Sequence, residues 1–217
     1  MVRKTREEAE KTKERILDAA EDVFYRRGVS GATMADIADC AGVSRGAVYG
    51  HYKSKAQVFL SMCDRMNRLF AELSPGVISG ITDESLKETD PLGLLRLATL
   101  SYMRVVLLND RFRRFAELPY FKCEYVGENA ELLEYAHRLQ KVRMDRLVAL
   151  IEKAKAKGQL SKDLDVGRAS QFFTCALDGM LRKDLFNPKI HDIRDHIDEM
   201  VTAVLDCMKY SEALRKK

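Results

Sequence analysis

Arg45, Lys53 and Lys55 stand with the imidazole of His51 in residues 42–55, GVSRGAVYGHYKSK, beside Tyr49 and Tyr52. From Cys40 to Cys63 there is no Asp or Glu, in a chain with 33 acids among 217 residues. Guanidinium and ammonium donors with no opposing carboxylate suit an anionic partner, and an acid-free stretch of this length suits a polyanion. Other chemistries lack their residues. His51 has no second His or Cys at ligand spacing and no HExxH occurs, so no metal is expected. The chain shows no glycine-rich phosphate loop and no Ser/His/Asp or Cys/His nucleophile signature, so neither a cofactor nor enzymatic activity is expected. Net charge is only +4, from 37 basic and 33 acidic residues, so the polyanion signal is local.

The elements that must present these side chains are helical. Strand-like alternation is absent, and apolar residues recur at helical spacing. Residues 12–27 form a first helix with Ile16, Leu17, Ala20, Val23 and Phe24 on one face, stopped by Gly28. Thr33 caps a second helix with Asp36 three residues on. Met34, Ile37, Ala38 and Ala41 are its apolar face, and Gly42 ends it. Ser44 caps a short third helix, 45–50. A fourth starts after Ser54 and runs to Leu73. Residues 74–91, rich in Ser, Gly, Asp and Pro, read as a loop. Further helices are expected over 92–108, 111–118, 121–157, 166–186 and 192–210. The fold class is all-α, about nine helices, with a reader at 1–55 and a larger bundle at 56–217.

The second and third helices, joined by AGVS, make a helix-turn-helix. Gly42 supplies the relaxed backbone of the turn, and Val43 plugs the gap between the helices. The third helix is then the reader, its N-terminal end in the major groove of double-stranded DNA. Arg45 has the fork suited to guanine O6 and N7. Gly46, lacking a side chain, permits close backbone approach, and Ser44 stands at the same end. Ala47, Val48 and Tyr52 look back toward the first two helices, whereas Tyr49 and His51 reach phosphates. Lys53 and Lys55 flank the start of the fourth helix, itself a phosphate site through its free N–H groups. Thr33 offers a hydroxyl and further N–H groups to the other strand, and Arg3 and Lys4 belong to a mobile basic arm.

TMADIADCAGVSRGAVYGHYKSKAQVF resembles the DNA-binding domain of the TetR family of repressors, and VRKTREEAEKTKERILDAAEDVF fits the same pattern. KCEYVGENAEL, residues 122–132, is similar to the AcrR- and TtgR-like branch, which controls multidrug efflux pumps. One departure is Gly50, where that branch usually carries a tryptophan: YGHY in place of YWHF. The resemblance implies a homodimer binding a palindromic operator, released by a drug-like inducer. It also implies a pocket among the fourth to eighth helices.

Aromatic residues amid the later helices are suited to such a pocket: Phe70, Tyr102, Phe115, Tyr120 and Phe173, with Thr174 beside them. Asp178, in CALDGML, is costly in so apolar a stretch unless paired, with a ligand or with Arg182. The resemblance adds Asn67, where the acridine-efflux repressor has an acid. The face of Phe172, Phe173, Ala176, Leu177, Met180 and Leu181 and the Ile193–Met208 stripe suit pairing of two chains through the last two helices. The start of the chain is charged and lacks the apolar core of a signal peptide, no run of about 18 apolar residues occurs, and no membrane partner is expected. The five scattered cysteines read as reduced, mostly buried thiols of a cytoplasmic protein. A regulator of the same fold that senses thiol oxidation or a protein partner remains the alternative.

Overall fold

Short polar side chains and glycines set the helix ends. Asp90 accepts the Gly93 N–H at 2.8 Å ahead of Pro91, and Asp165 accepts the Arg168 N–H at 3.0 Å. Each satisfies a donor that the first helical turn leaves free. In the computed structural model, residues 2–74 and 84–216 are described, with side chains for 7–74, 87–127 and 129–216. Among them are ten α-helices: α1 Val2–Gly31, α2 Met34–Ala41, α3 Arg45–His51, α4 Lys55–Leu73, α5 Glu84–Thr89, α6 Pro91–Leu108, α7 Asp110–Phe121, α8 Ala130–Ala156, α9 Val166–Phe186 and α10 Ile197–Tyr210.

The all-α expectation holds, and several boundaries differ from it, among them the start of α10, which is Ile197 and not residue 192, after a 3-10 turn at Arg194–His196. Residues 84–89, read as loop, are helical, while 75–83 of that stretch lie outside the described residues. Pro119 sits inside α7 and does not end it. The tract expected as one helix over 121–157 is interrupted, and α8 begins only at Ala130. There Gly127, at φ +57°, opens a 3-10 turn that a continuous α-helix could not contain. Arg3 and Lys4, expected in a mobile arm, lie in the first turn of α1, where the charged, proline-free run 2–15 continues the helix; their side chains are outside those described.

The chain divides into two compact units, residues 1–69 with 114–136 and residues 70–113 with 137–217. The first unit is built on α1. Ile16, Leu17, Ala20 and Phe24 are fully buried there, and the Phe24 ring meets Phe59 of α4 edge-on at 5.7 Å. Ile37, Ala38, Val48 and Tyr52 close the same core from α2 and α3, and Leu118 and Leu132 join it from α7 and α8.

In the second unit α10 packs on α6 and α9. Ile197, Val201, Val204, Leu205 and Met208 of α10 are buried within the chain. Most of the stripe expected to pair two chains therefore lies in the internal core, while its Ile193 and Met200 are half-buried. α6 is apolar and long enough for a membrane span by composition (mean hydropathy 1.4), yet half of it is buried, and its Arg96 and Arg104 both pair with Asp198 of α10. A core helix explains it. Asp184, 0% exposed, accepts Arg113 Nη1 at 2.6 Å and the Ile193 N–H at 3.1 Å, while Arg113 Nη2 donates to the Asp184 carbonyl at 2.8 Å. Both carboxylate oxygens are thus satisfied, which is the condition for burying the charge.

Asp184→Ala strands the Arg113 guanidinium and frees the start of α10. It should lower unfolding free energy by about 3–5 kcal/mol, read as a shift of the urea midpoint at unchanged slope. The double variant Arg113→Met, Asp184→Leu should recover much of that loss.

Candidate DNA-reading surface

The turn between α2 and α3 is built from three local devices. At its entry Thr33 Oγ1 accepts the Asp36 N–H at 3.1 Å, and the Asp36 carboxylate accepts the Thr33 N–H at 3.0 Å and the Thr33 hydroxyl at 2.8 Å. This reciprocal box holds the Asp36 carboxyl below its ordinary pKa, the Thr33 hydrogen bond being the leading cause. Asp36 also takes Arg27 Nη1 at 2.6 Å.

At the exit of α2, Gly42 adopts φ +62°, and the Val43 N–H reaches back to the Ala38 carbonyl at 3.1 Å. Arg15 of α1 then donates Nη2 to the carbonyls of Ala41, at 2.7 Å, and Gly42, at 3.3 Å. Ser44 opens α3 by accepting the Ala47 N–H at 3.1 Å.

Val48 and Tyr52 are buried and fasten α3 to the core. Arg45, Gly46, Tyr49 and Gly50 are left on the solvent side, Tyr49 being 56% exposed. Residues four apart share a helix face, so Arg45 and Tyr49 stand on one row and Gly46 and Gly50 on the next. Ser44 and Lys53 are exposed at the two ends, with His51 half-buried against the Tyr52 ring at 6.3 Å. Gln57 accepts the Lys53 N–H at 2.6 Å and donates its own N–H to Ser54 Oγ at 3.1 Å, which closes the turn into α4. The outcome is a cationic row flanked by glycine, with no carboxylate on it.

Two expected contacts change. Lys55 is only 6% exposed, and its ammonium donates to the carbonyls of Ser30 at 3.1 Å and Ala32 at 2.9 Å. It joins the start of α4 to the α1–α2 connection and is turned away from phosphate. Two backbone carbonyls at the end of a helix offer it an inward site that the sequence spacing does not reveal. Thr33 is exposed, but its N–H and hydroxyl hydrogen are committed to Asp36, so its donors are not available to a strand.

Beneath the reader, the side chain of Arg65 in α4 is buried against α1. Nη1 meets Glu14 Oε2 at 3.0 Å and Asp18 Oδ1 at 2.8 Å, and Nη2 meets Glu21. Desolvation alone would lower its pKa, and the hydrogen bonds to Glu14 and Glu21 outweigh it, leaving the value raised. The Tyr52 hydroxyl is buried without a partner, and desolvation, then the Glu14 charge, push it up to about 12. None of Arg15, Gln57 and Arg65 was expected. For Arg65 a signal existed: it falls on the apolar side of α4, between Met62 and Met66.

The eight residues expected at a ligand pocket divide between the units. Asn67 (exposed), Phe115 and Tyr120 belong to the first, and Phe70, Tyr102, Phe173, Thr174 and Asp178 to the second. The structure brings Phe70 to Tyr102 at 6.1 Å and also to Phe112 at 6.3 Å. Desolvation raises the Tyr102 hydroxyl, with Arg143 opposing and Asp178 adding to the shift; Asp178 itself is exposed, so its carboxylate is not the buried charge its apolar stretch suggested. Phe173 is buried in the core. The Thr174 hydroxyl is turned back onto the Ser170 and Gln171 carbonyls at 2.9 and 3.1 Å, so its proton is taken within α9. Among the cysteines Cys63 is buried, Cys123 is half-buried with its thiol pushed up by burial, and Cys40, Cys175 and Cys207 are exposed, more than expected.

Gly50 is the departure in the reader. A Cβ built there meets nothing within 4 Å, so the glycine is not demanded by packing. Gly50→Ala should stabilise the fold by about 1 kcal/mol, measured by denaturant unfolding. Lys55→Met should cost about 1–3 kcal/mol through the unpaired carbonyls and leave the salt slope of DNA binding unchanged, read from binding isotherms at several ionic strengths.

Residues 16–62 match the family model of bacterial regulatory proteins, tetR family, and residues 90–210 match that of the C-terminal region of MAATS-type transcriptional repressors. The chain is 34% identical over 216 residues to the HTH-type transcriptional regulator TtgR of Pseudomonas putida, covering all of both sequences. Its fold is similar to the crystal structure of MexZ, a repressor responsible for antibiotic resistance in Pseudomonas aeruginosa, at TM-score 0.79 and 35% identity over 95% of this chain and 99% of that one. It is also similar to NalD, the secondary repressor of the MexAB-OprM multidrug efflux pump in the same organism, at TM-score 0.72 and 25% identity over 94% and 99%.

Proposed function

Because the chain belongs to the TetR family of bacterial regulatory proteins, we propose that it represses transcription by binding a palindromic operator as a homodimer and is released by a small, largely apolar compound. The observation that carries this is the exposed, acid-free row of α3, with Arg45 and Tyr49 outward while Val48 and Tyr52 fix the helix from behind. A short helix held rigidly by its inner face presents a fork to base edges with little conformational freedom left to lose. Arg45 reads a base, Ser44 and Tyr49 position the backbone, and Gly46 permits close approach. His51 and Lys53 hold phosphate at the far end.

Two copies give two readers at matched spacing, which one short helix needs for affinity. With most of the α10 stripe buried, pairing falls chiefly to the half-exposed apolar row of α9 (Phe172, Ala176, Leu177, Met180), with Met200 of α10 also half-exposed. The inducer sits against Phe70 and Tyr102, with Asp178 as its polar partner. It acts by preferring a state in which the readers are no longer at operator spacing, and it shifts the balance only by its difference in affinity for the two states. The regulated genes encode a multidrug efflux pump, a reading supported by the efflux-pump repressor among the similar structures. The site of action is the cytoplasm, where the operator is.

The test is a fluorescence-anisotropy titration on duplexes selected from a random pool. Arg45→Ala should relax one base position in each half-site at a cost of about 1–3 kcal/mol. Lys53→Ala should weaken all sequences alike and reduce the salt slope by about 1. Adding a panel of apolar drugs and dyes should release the selected duplex, and Phe70→Ala or Asp178→Ala should weaken release without altering drug-free affinity. Compounds that bind yet leave duplex affinity untouched defeat the induction model.

A further inference from the structure

KCEYVGENAEL lies by geometry in the same compact unit as the reader, against the bent end of α1. Gly28 takes φ +74°, and a Cβ there would come within 3.1 Å of the Lys122 carbonyl oxygen. That carbonyl accepts the Val29 N–H at 2.7 Å. One residue on, the Ser30 hydroxyl oxygen accepts twice from the segment: the Glu124 N–H at 3.2 Å and Asn129 Nδ2 at 3.0 Å. Asn129 Nδ2 also donates to the Glu124 carbonyl at 3.0 Å, which closes the 124–129 loop on itself. From α4, Lys55 grips the Ser30 and Ala32 carbonyls. Apart from the Asn129–Glu124 bond, these converge on residues 29–32, the last before Thr33 opens α2.

The joint is held against a cost. Asn129 is 2% exposed, and its Oδ1 is buried with no hydrogen-bond partner. A buried acceptor left unsatisfied loses the water it would have when open. Closure therefore rests on the two donor bonds of one amide outweighing the desolvation of its oxygen.

We infer that Asn129 is a positioning residue for DNA reading: by tying residues 122–129 to Ser30 it sets where α2 and α3 leave α1, and displacement of residues 114–136 reaches the reader through this joint. The inference rests on the assignment of α3 as the reader. It adds that a residue far along the chain, with no expected DNA contact, governs sequence discrimination.

The experiment uses the full chain and two variants. Asn129→Leu keeps the volume and removes both donors together with the orphaned oxygen, and Ser30→Ala removes the shared acceptor. The readout is the ratio of affinity for a duplex selected from a random pool to that for a random-sequence duplex, with active protein counted by stoichiometric titration. Each variant should lower selected-duplex affinity about tenfold, the order of two net hydrogen bonds, with random-sequence binding unchanged. The double variant should lose less than the product of the two single effects, because one of the bonds each variant removes is shared. A purely structural role would lower the active fraction and leave the ratio alone. A ratio within twofold of wild type for both variants, or for Ser30→Ala if Asn129→Leu does not fold, overturns the inference. Wild-type protein that fails to discriminate the two duplexes, with Arg45→Ala unchanged, overturns the reader assignment itself and the inference with it.

Discussion

The reading head depends on one buried guanidinium. Arg65 of α4 meets Glu14, Asp18 and Glu21, three carboxylates one turn apart on α1. Burying an ion is costly, and its attraction to partners in a protein interior only offsets that cost when the geometry is well satisfied. Here the two terminal nitrogens are satisfied and Nε is not. The arrangement is better understood as alignment than as net stability. A planar fork bonded at three levels of one helix admits one register of α4 along α1. An all-apolar contact is less directional and specifies the register less sharply.

With α1 and α4 aligned, α2 and α3 are held at their ends more than along their lengths. α2 has eight residues and α3 seven, too short to be stable alone. Each is pinned by a side-chain cap at its start. The Arg15 guanidinium caps the exit of α2, and Val48 and Tyr52 pin α3 from beneath. The outer face of α3 is thereby released from structural duty. Gly50 shows this directly, since space beside it is open and the fold makes no claim on its identity.

Lys55 shows where charge patterning misleads. In sequence it is one more cation in an acid-free run, indistinguishable from Lys53 two residues earlier. In the structure Lys53 points to solvent and Lys55 to two carbonyls inside. The gap in acids around it thus has two causes: repulsion by a phosphate partner at the exposed positions, and a carbonyl-lined interior at the buried one.

The sequence by itself determined the all-helical class, the α2–turn–α3 motif with its caps at Thr33 and Ser44, and the inward set Val48 and Tyr52. These follow from local rules: 3.6-residue periodicity, capping chemistry and a glycine at positive φ act within a few residues of chain. The pocket aromatics were legible as a composition only. Phe70 and Tyr102 are neighbours because of tertiary packing, whereas Thr174, equally plausible by type, spends its hydroxyl on its own helix. Tertiary structure also decided that residues 114–136 belong with the reader, that most of the α10 stripe is core, and that Arg15, Arg65 and Asn129 bond to the end of α2, to α1 and to Ser30 across the unit. Each joins groups 26 to 99 residues apart. A bond between residues so far apart leaves no periodic trace along the chain, because its partner is chosen by how helices pack and not by spacing.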